Sequence, residues 1–242
     1  MRYALFAVLC LACVSCRKDH LFDCLKGTGK VITVERYSGW FHSIEWHDKI
    51  DLVFHKGQPK VVLTGGANLL DGIETTVQNG WLILRDHNQC NWVRDFNKRL
   101  RVEVFTDSLI RIDNYGSGNF LAADTIECTD FRYDNWQASG KIDLKMKVVR
   151  FYMNIHTGTA DVNGSGKAEV QILYYNGYGR MNLKPLAGYL IYVNNSGSND
   201  MIVSVRDELH AKIEESGNIY YSGNPAIIVP QITGTGQLIP LP

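Results

Sequence analysis

Hydrophobic and polar residues alternate with a period of two along most of this chain, and almost no stretch carries the 3.6-residue period of a helix. Val31-Ile32-Thr33-Val34 is a β-branched run. Ile50 to Phe54 and Lys60 to Thr64 read as two strands joined by a short turn around Lys56-Gly57. Ile73 to Val77 and Trp81 to Leu84 flank Asn79-Gly80, a strong hairpin signal. Arg99-Leu100-Arg101-Val102-Glu103-Val104-Phe105 sets charge against apolar residue, as a half-buried strand does. Asn68-Leu69-Leu70-Asp71 fits a single turn, and the polar run 86–98 reads as a long loop.

From Tyr115 onward the pattern becomes periodic. Gly116-Ser117-Gly118, Ser139-Gly140, Thr157-Gly158, Gly177-Tyr178-Gly179, Ser196-Gly197, Ser216-Gly217 and Gly234-Thr235-Gly236 recur at roughly twenty-residue intervals. Gly164-Ser165-Gly166 adds a break inside one interval. Short alternating runs lie between these corners: Ile142 to Met146, Phe151 to Ile155, Glu169 to Leu173, Tyr189 to Val193 and Met201 to Val205. A fixed period with one or two strands per repeat predicts a solenoid; a β-sandwich, with turn signals every 8 to 12 residues, is the alternative. Glycine at a sharp corner reaches positive φ without penalty, and small neighbours let corners stack. The expected fold is all-β: N-terminal strands over 29–115 continuing into coils over 116–242. Ile142, Leu144, Tyr152, Ile155, Val170, Ile172, Leu190, Tyr192, Ile202, Val205 and Ile213 are expected to face inward.

The N-terminus changes the picture of where this fold resides. Met1-Arg2-Tyr3 and the apolar run Ala4 to Val14 have the form of a signal peptide over 1–15, too short for a membrane span of roughly 20 residues. Ser15-Cys16 resembles a bacterial lipobox, with Cys13 where leucine is usual, so Cys16 is the expected lipid attachment site and Cys13 the alternative. Residues 16–28 then form a tether, and the expected address is the cell envelope. Of the other cysteines, Cys24, Cys90 and Cys128 remain in the mature chain. Either Cys24 and Cys90 pair as a disulfide, leaving one thiol over, or all three are free.

Twenty-five basic against twenty-five acidic residues, with no basic run, point away from nucleic acid as a partner. His42, His47, His55, His87, His156 and His210 are scattered and none stands at metal-ligand spacing, so no metal and no cofactor is expected. Asp161, Asp200, Lys167, Arg180 and Arg206 are the residue types a polysaccharide lyase would use, but they form no motif. Trp40, Trp46, Trp81, Trp92 and Trp136, with the tyrosines of the coils, either pack within the stack or form a platform for a glycan or protein. Tyr175, Tyr178 and Tyr189 are the candidate ligand surface. One Arg or Lys with two carboxylates in a groove would point to an enzyme; a continuous exposed aromatic strip would point to binding.

Several strings together are similar to a known family: Gly217-Asn218-Ile219-Tyr220-Tyr221-Ser222-Gly223-Asn224-Pro225, Gly116-Ser117-Gly118-Asn119, Cys90-Asn91-Trp92-Val93-Arg94 and Ser196-Gly197-Ser198-Asn199-Asp200. From about Gly29 to the C-terminus the chain resembles the putative auto-transporter adhesin, head GIN domain family, common in exported lipoproteins of Bacteroidota. The resemblance implies an all-β fold ending in a right-handed β-helix; it implies no established activity and supplies no catalytic residues, and adhesion is what the family's name suggests. The expected role is a non-catalytic binding or adhesion module, with a carbohydrate-active enzyme or a purely structural envelope component as the alternatives. Gly177-Tyr178-Gly179 departs from the Gly-Ser-Gly corner and is expected to expose Tyr178.

Overall fold

The computed structural model describes residues 27–88 and 100–242. Cys16, Cys24, Cys90 and the string 90–94 lie outside the described residues. Seventeen strands form one continuous sheet among the described residues: β1 Val31–Arg36, β2 Ser43–Trp46, β3 Ile50–His55, β4 Lys60–Gly66, β5 Ile73–Gln78, β6 Trp81–Asp86, β7 Leu100–Phe105, β8 Arg111–Asn114, β9 Phe120–Ala122, β10 Ile126–Trp136, β11 Lys141–Thr157, β12 Asp161–Tyr175, β13 Met181–Asn195, β14 Met201–Ile213, β15 Ile219–Ser222, β16 Ile227–Ile232 and β17 Leu238–Pro240. A 3-10 turn at Leu70–Gly72 falls where the sequence suggests one, and Asn79-Gly80 (φ 51° and 78°) closes the β5–β6 hairpin.

The sheet coils on itself into a solenoid of about twenty residues per turn. Face 1 stacks β7, β3, β9, the first halves of β11 to β14, then β15 and β17, all parallel. Face 2 stacks β6, β2, β8, the second halves of β10 to β14, then β16. Apolar columns fill the space between the faces. Leu52, Phe120, Ile142, Val162, Met181, Met201 and Ile219 stack in register on face 1, and Ile112, Tyr133, Met153, Leu173 and Val193 on face 2, each at most 3% exposed. Burial of such side chains contributes about 1.5–3 kcal/mol apiece, so each coil is held mainly by its two neighbours.

The stacking order departs from chain order at the start. The β2–β3 coil sits between the β6–β7 coil and the β8–β9 coil. The sequence neighbours β3 and β4 therefore do not pair with each other. β7 lies between them, antiparallel to β4, and β4 is antiparallel to β1. These antiparallel strands close the N-terminal end. At the other end β16 and β17 are edges. Thr233 N–H bonds back to Ile213 O and Leu241 N–H to Tyr221 O. By alternation, Pro230 and Pro240 stand at positions that face the open edge, where a residue without an N–H blunts pairing with another chain.

The corners work differently from the sequence expectation. Gly140 and Gly158 have positive φ (98° and 115°), but Gly118, Gly179 and Gly217 do not. What excludes a side chain at these three is the coil beside them. A Cβ at Gly118 would lie 1.9 Å from Ile50 O, and one at Gly179 would lie 2.0 Å from Ala160 O. Gly164-Ser165-Gly166 is no corner; it lies inside β12, where the register with β13 shifts. Beside the corners, side-chain oxygens pin coil to coil. Asn119 N–H donates to Asp51 Oδ1 (2.8 Å), Lys141 N–H to Asn119 Oδ1 (2.9 Å), Arg180 N–H to Asp161 Oδ1 (2.7 Å) and Asn218 N–H to Asp200 Oδ1 (3.0 Å).

Six of the eleven residues expected to face inward point outward. Ile142, Leu144, Ile155, Val205 and Ile213 are buried as expected. Tyr152, Val170, Ile172, Leu190 and Ile202 are half-buried, and Tyr192 is 43% exposed. On face 2 the cause is the bend between the two faces, where two successive residues turn outward: Val149-Arg150, Glu169-Val170, Tyr189-Leu190 and Arg206-Asp207. Just before the bend of β11, β12 and β13 the inward residues are even-numbered and after it they are odd, so an alternation carried across those bends inverts. β14 keeps Met201, Val203 and Val205 inward before its bend and Leu209, Ala211 and Ile213 after it, with no change of parity.

Candidate functional site

The bend leaves β12 and β13 apolar on both sides. Gln171, Leu173 and Tyr175 point in while Val170, Ile172 and Tyr174 point out; Ile191 and Val193 point in while Leu190 and Tyr192 point out. Parallel sheets with two apolar faces are ordinarily covered on both. Here the outer side of face 2 carries the strip Tyr152, Ile172, Tyr192, His210 and Val229, one residue per coil in register. Tyr192 stacks on the His210 ring at 4.5 Å. A shallow groove of about 310 Å³ runs alongside, lined by Ile172, Tyr174, Tyr192, His210, Lys212 and Val229 among others.

Toward the N-terminal end the same face turns charged. Arg111 and Arg132 are in register, as are Asp113 and Asp134. Arg111 donates to both oxygens of Asp113 at 2.8 and 3.1 Å. Asp134, its side chain 4% exposed, lies 3.2 Å from Arg111 Nη2 and 3.0 Å from Arg132 Nε, and it accepts from Asn154 Nδ2 at 2.7 Å. The contacts of Asp134 Oδ2 are ion pairs without hydrogen-bond alignment. Burial pushes the Asp113 carboxyl above its ordinary value against the pull of Arg111. Beside this cluster His47, Tyr115, Trp136 and His156 form a ladder of stacked rings, with Trp136 and His156 3.8 Å apart. Their ring faces are occupied by one another, so coil packing explains them better than a sugar platform does.

The three tyrosines picked from sequence are placed apart. Tyr175 is fully buried and donates from its hydroxyl to Gly179 O; burial pushes its phenol up to about 12. Tyr178 is 65% exposed at its corner, as the departing Gly-Tyr-Gly predicts. Tyr189 lies between Lys167 and Arg206, whose charged ends are 4.9 and 5.0 Å from its ring centre. Sequence reasoning missed the Arg-Asp cluster, although Arg111-Ile112-Asp113-Asn114 returns one coil later as Arg132-Tyr133-Asp134-Asn135. That repeated tetrad was the available signal.

On face 1 a cleft of about 790 Å³ is lined by Lys141, Asp161, Arg180, Asn182, Asp200 and Tyr220, among others. Arg180 with two carboxylates meets the residue criterion for an enzyme. The bonds qualify it: Asp161 Oδ1 and Asp200 Oδ1 each accept a backbone N–H from the next coil, which accounts for both carboxylates as struts. Among the described residues no group of three or more His, Cys, Asp or Glu could hold a metal ion. Cys128 is half-buried and burial pushes its thiol up to about 11, so it is a poor nucleophile at neutral pH.

Similar proteins of known structure share this fold. A "putative adhesin" from Bacteroides fragilis superposes with a TM-score of 0.80 at 18% identity, covering 88% of this chain and 97% of its own. A "putative adhesin" from Parabacteroides distasonis gives 0.72 at 18% identity, covering 89% and 98%. A "putative lipid binding protein" from the same species gives 0.68 at 16% identity, covering 89% and 98%. At such identities the likeness establishes the fold. No curated protein matched. The model of one family, described as putative auto-transporter adhesin, head GIN domain, matches residues 40–225, more than half of the chain. The chain belongs to that family.

Proposed function

We propose that this protein is a non-catalytic binding module of the cell envelope that holds a protein partner against the outer side of face 2. One observation carries this reading: β12 and β13 expose Val170, Ile172, Tyr174, Leu190 and Tyr192 on a rigid sheet whose other side is already the core. An apolar, aromatic centre with a polar margin, here Arg132, Asn154, Asn194, His210 and Lys212, is the anatomy of a protein interface. The adhesin-type family supports an envelope or surface address. A lipid on Cys16 would keep the module there; Cys16→Ser is expected to move the protein from the membrane fraction to the soluble one, and continued retention would refute the anchor.

The binding reading is tested by placing a photo-crosslinking amino acid at position 172 or 192 in living cells. Both positions are expected to capture the same protein, and position 37, on an exposed tyrosine that lines no part of the groove, is expected to capture none of it. Ile172→Asp with Tyr192→Asp should weaken that complex more than tenfold while leaving the melting temperature unchanged, because neither side chain belongs to the core. Equal capture from position 37, or a complex indifferent to both aspartates, would sink the proposal.

A further inference from the structure

The face 1 cleft carries an inference independent of the face 2 reading. Its polar groups sort into those the fold uses and those it leaves over. Asp161 Oδ1 and Asp200 Oδ1 are used by backbone N–H groups. Asn182 Oδ1 accepts Lys184 N–H at 3.1 Å. Asn199 Nδ2 donates to Tyr178 O. Lys141 Nζ is paired with Asp143 at 2.7 Å. Left over are the Arg180 guanidinium, the Asn182 amide donor, the Tyr220 hydroxyl and the second oxygen of each aspartate; none of these makes a bond among the described residues.

Asp161, Arg180 and Asp200 stand just before Val162, Met181 and Met201, which are in register on three successive coils. Strand spacing sets them about 4.8 Å apart. Acceptor, donor and acceptor therefore alternate along the cleft. That alternation matches neighbouring hydroxyls, each of which donates one hydrogen bond and accepts others. Asn182, Ile202 and Tyr220 share the adjacent row, so the Tyr220 ring and Ile202 offer an apolar surface beside the polar row, suited to the C–H side of a sugar ring. Lys141 is neutralised by its partner Asp143 outside the cleft lining, which leaves Arg180 against the carboxylates of Asp161 and Asp200. The local charge of about −1 disfavours an anionic ligand.

We infer that this cleft binds a neutral oligosaccharide lengthwise, one ring passing each coil, without cleaving it. The same charge balance speaks against the acidic polysaccharide that a lyase would need.

The test is calorimetric titration of residues 17–242 with cello-, manno-, xylo- and maltohexaose, with oligogalacturonate as the anionic control. At least one neutral hexasaccharide is expected to bind and oligogalacturonate to fail. Arg180→Ala and Tyr220→Phe should each weaken binding at least tenfold, with melting unchanged because neither group supports the fold. The Tyr192→Asp variant of face 2 should bind as the wild type does, so failure of one surface leaves the other standing. Binding of none of the four neutral sugars would overturn the inference, as would binding of oligogalacturonate alone or affinity indifferent to both cleft variants. Shorter products on chromatography would also overturn it, since the site is assigned binding without turnover.

Discussion

Gly118→Ala is expected to destabilise the protein by about 4 kcal/mol, the range reserved for substitutions that break a structural rule outright. The added methyl would lie 1.9 Å from Ile50 O and 2.4 Å from its carbonyl carbon. Those atoms are backbone and cannot swing away as a flexible side chain could. Relief requires the coil of β8 and β9 to lift from that of β2 and β3. Lifting stretches the 2.7 Å bond from Leu52 N–H to Asn119 O and the 2.8 Å bond from Asn119 N–H to Asp51 Oδ1. It also opens the contact between Leu52 and Phe120, which are in register and buried. Thermal unfolding is the measurement. For a chain of this size the loss corresponds to a melting temperature lower by roughly 10 °C. Gly27→Ala, where nothing lies within 4 Å of the added carbon, should melt with the wild type. A Gly118→Ala protein within about 2 °C of wild type would refute the close-approach account of the corners.

Asp134→Ala should cost about 2–3 kcal/mol, less than the 3–5 typical of breaking a fully buried pair. The discount arises because its arginine partners retain water: the Arg111 and Arg132 side chains are 34% and 46% exposed. The loss is not symmetric. Removing Asp134 takes the carboxylate from the Arg132 guanidinium and the Asn154 amide at a site that is 4% exposed, while Arg111 keeps only Asp113. Removing Arg132 leaves Asp134 still paired with Arg111, so Arg132→Ala should cost about 1 kcal/mol or less. Urea unfolding of the two single variants and the double variant measures the coupling directly. Additive effects would show that the cluster does not act as a unit.

Much of the architecture was legible along the chain. The Asn79-Gly80 hairpin, the alternation of Leu100 to Phe105 and the twenty-residue glycine rhythm each report a local constraint, and each has the predicted consequence. The glycines were legible as corners, and Gly140 and Gly158 take the expected positive φ. Gly118 is a glycine for another reason, because the carbonyl that excludes a side chain there belongs to Ile50, far away in sequence. The outward strip was the least legible part. In Val170 to Tyr175 and Tyr189 to Val193 nearly every residue is apolar, so period-two reasoning has no contrast with which to choose a side. That ambiguity is itself the mark of the candidate site: a strand whose sequence cannot say which face is the core has apolar surface to spare.

The sequence by itself determined the strand-forming segments, the coil length and the family, because these rest on propensities and spacings that each segment carries alone. Only the tertiary structure decided that the β2–β3 coil lies between two later ones, that inward parity inverts at the bends of β11, β12 and β13, and that Arg111, Arg132, Asp113 and Asp134 meet. These depend on which coil stacks on which, and register between coils is set by the packing of the whole column rather than by any residue within one turn.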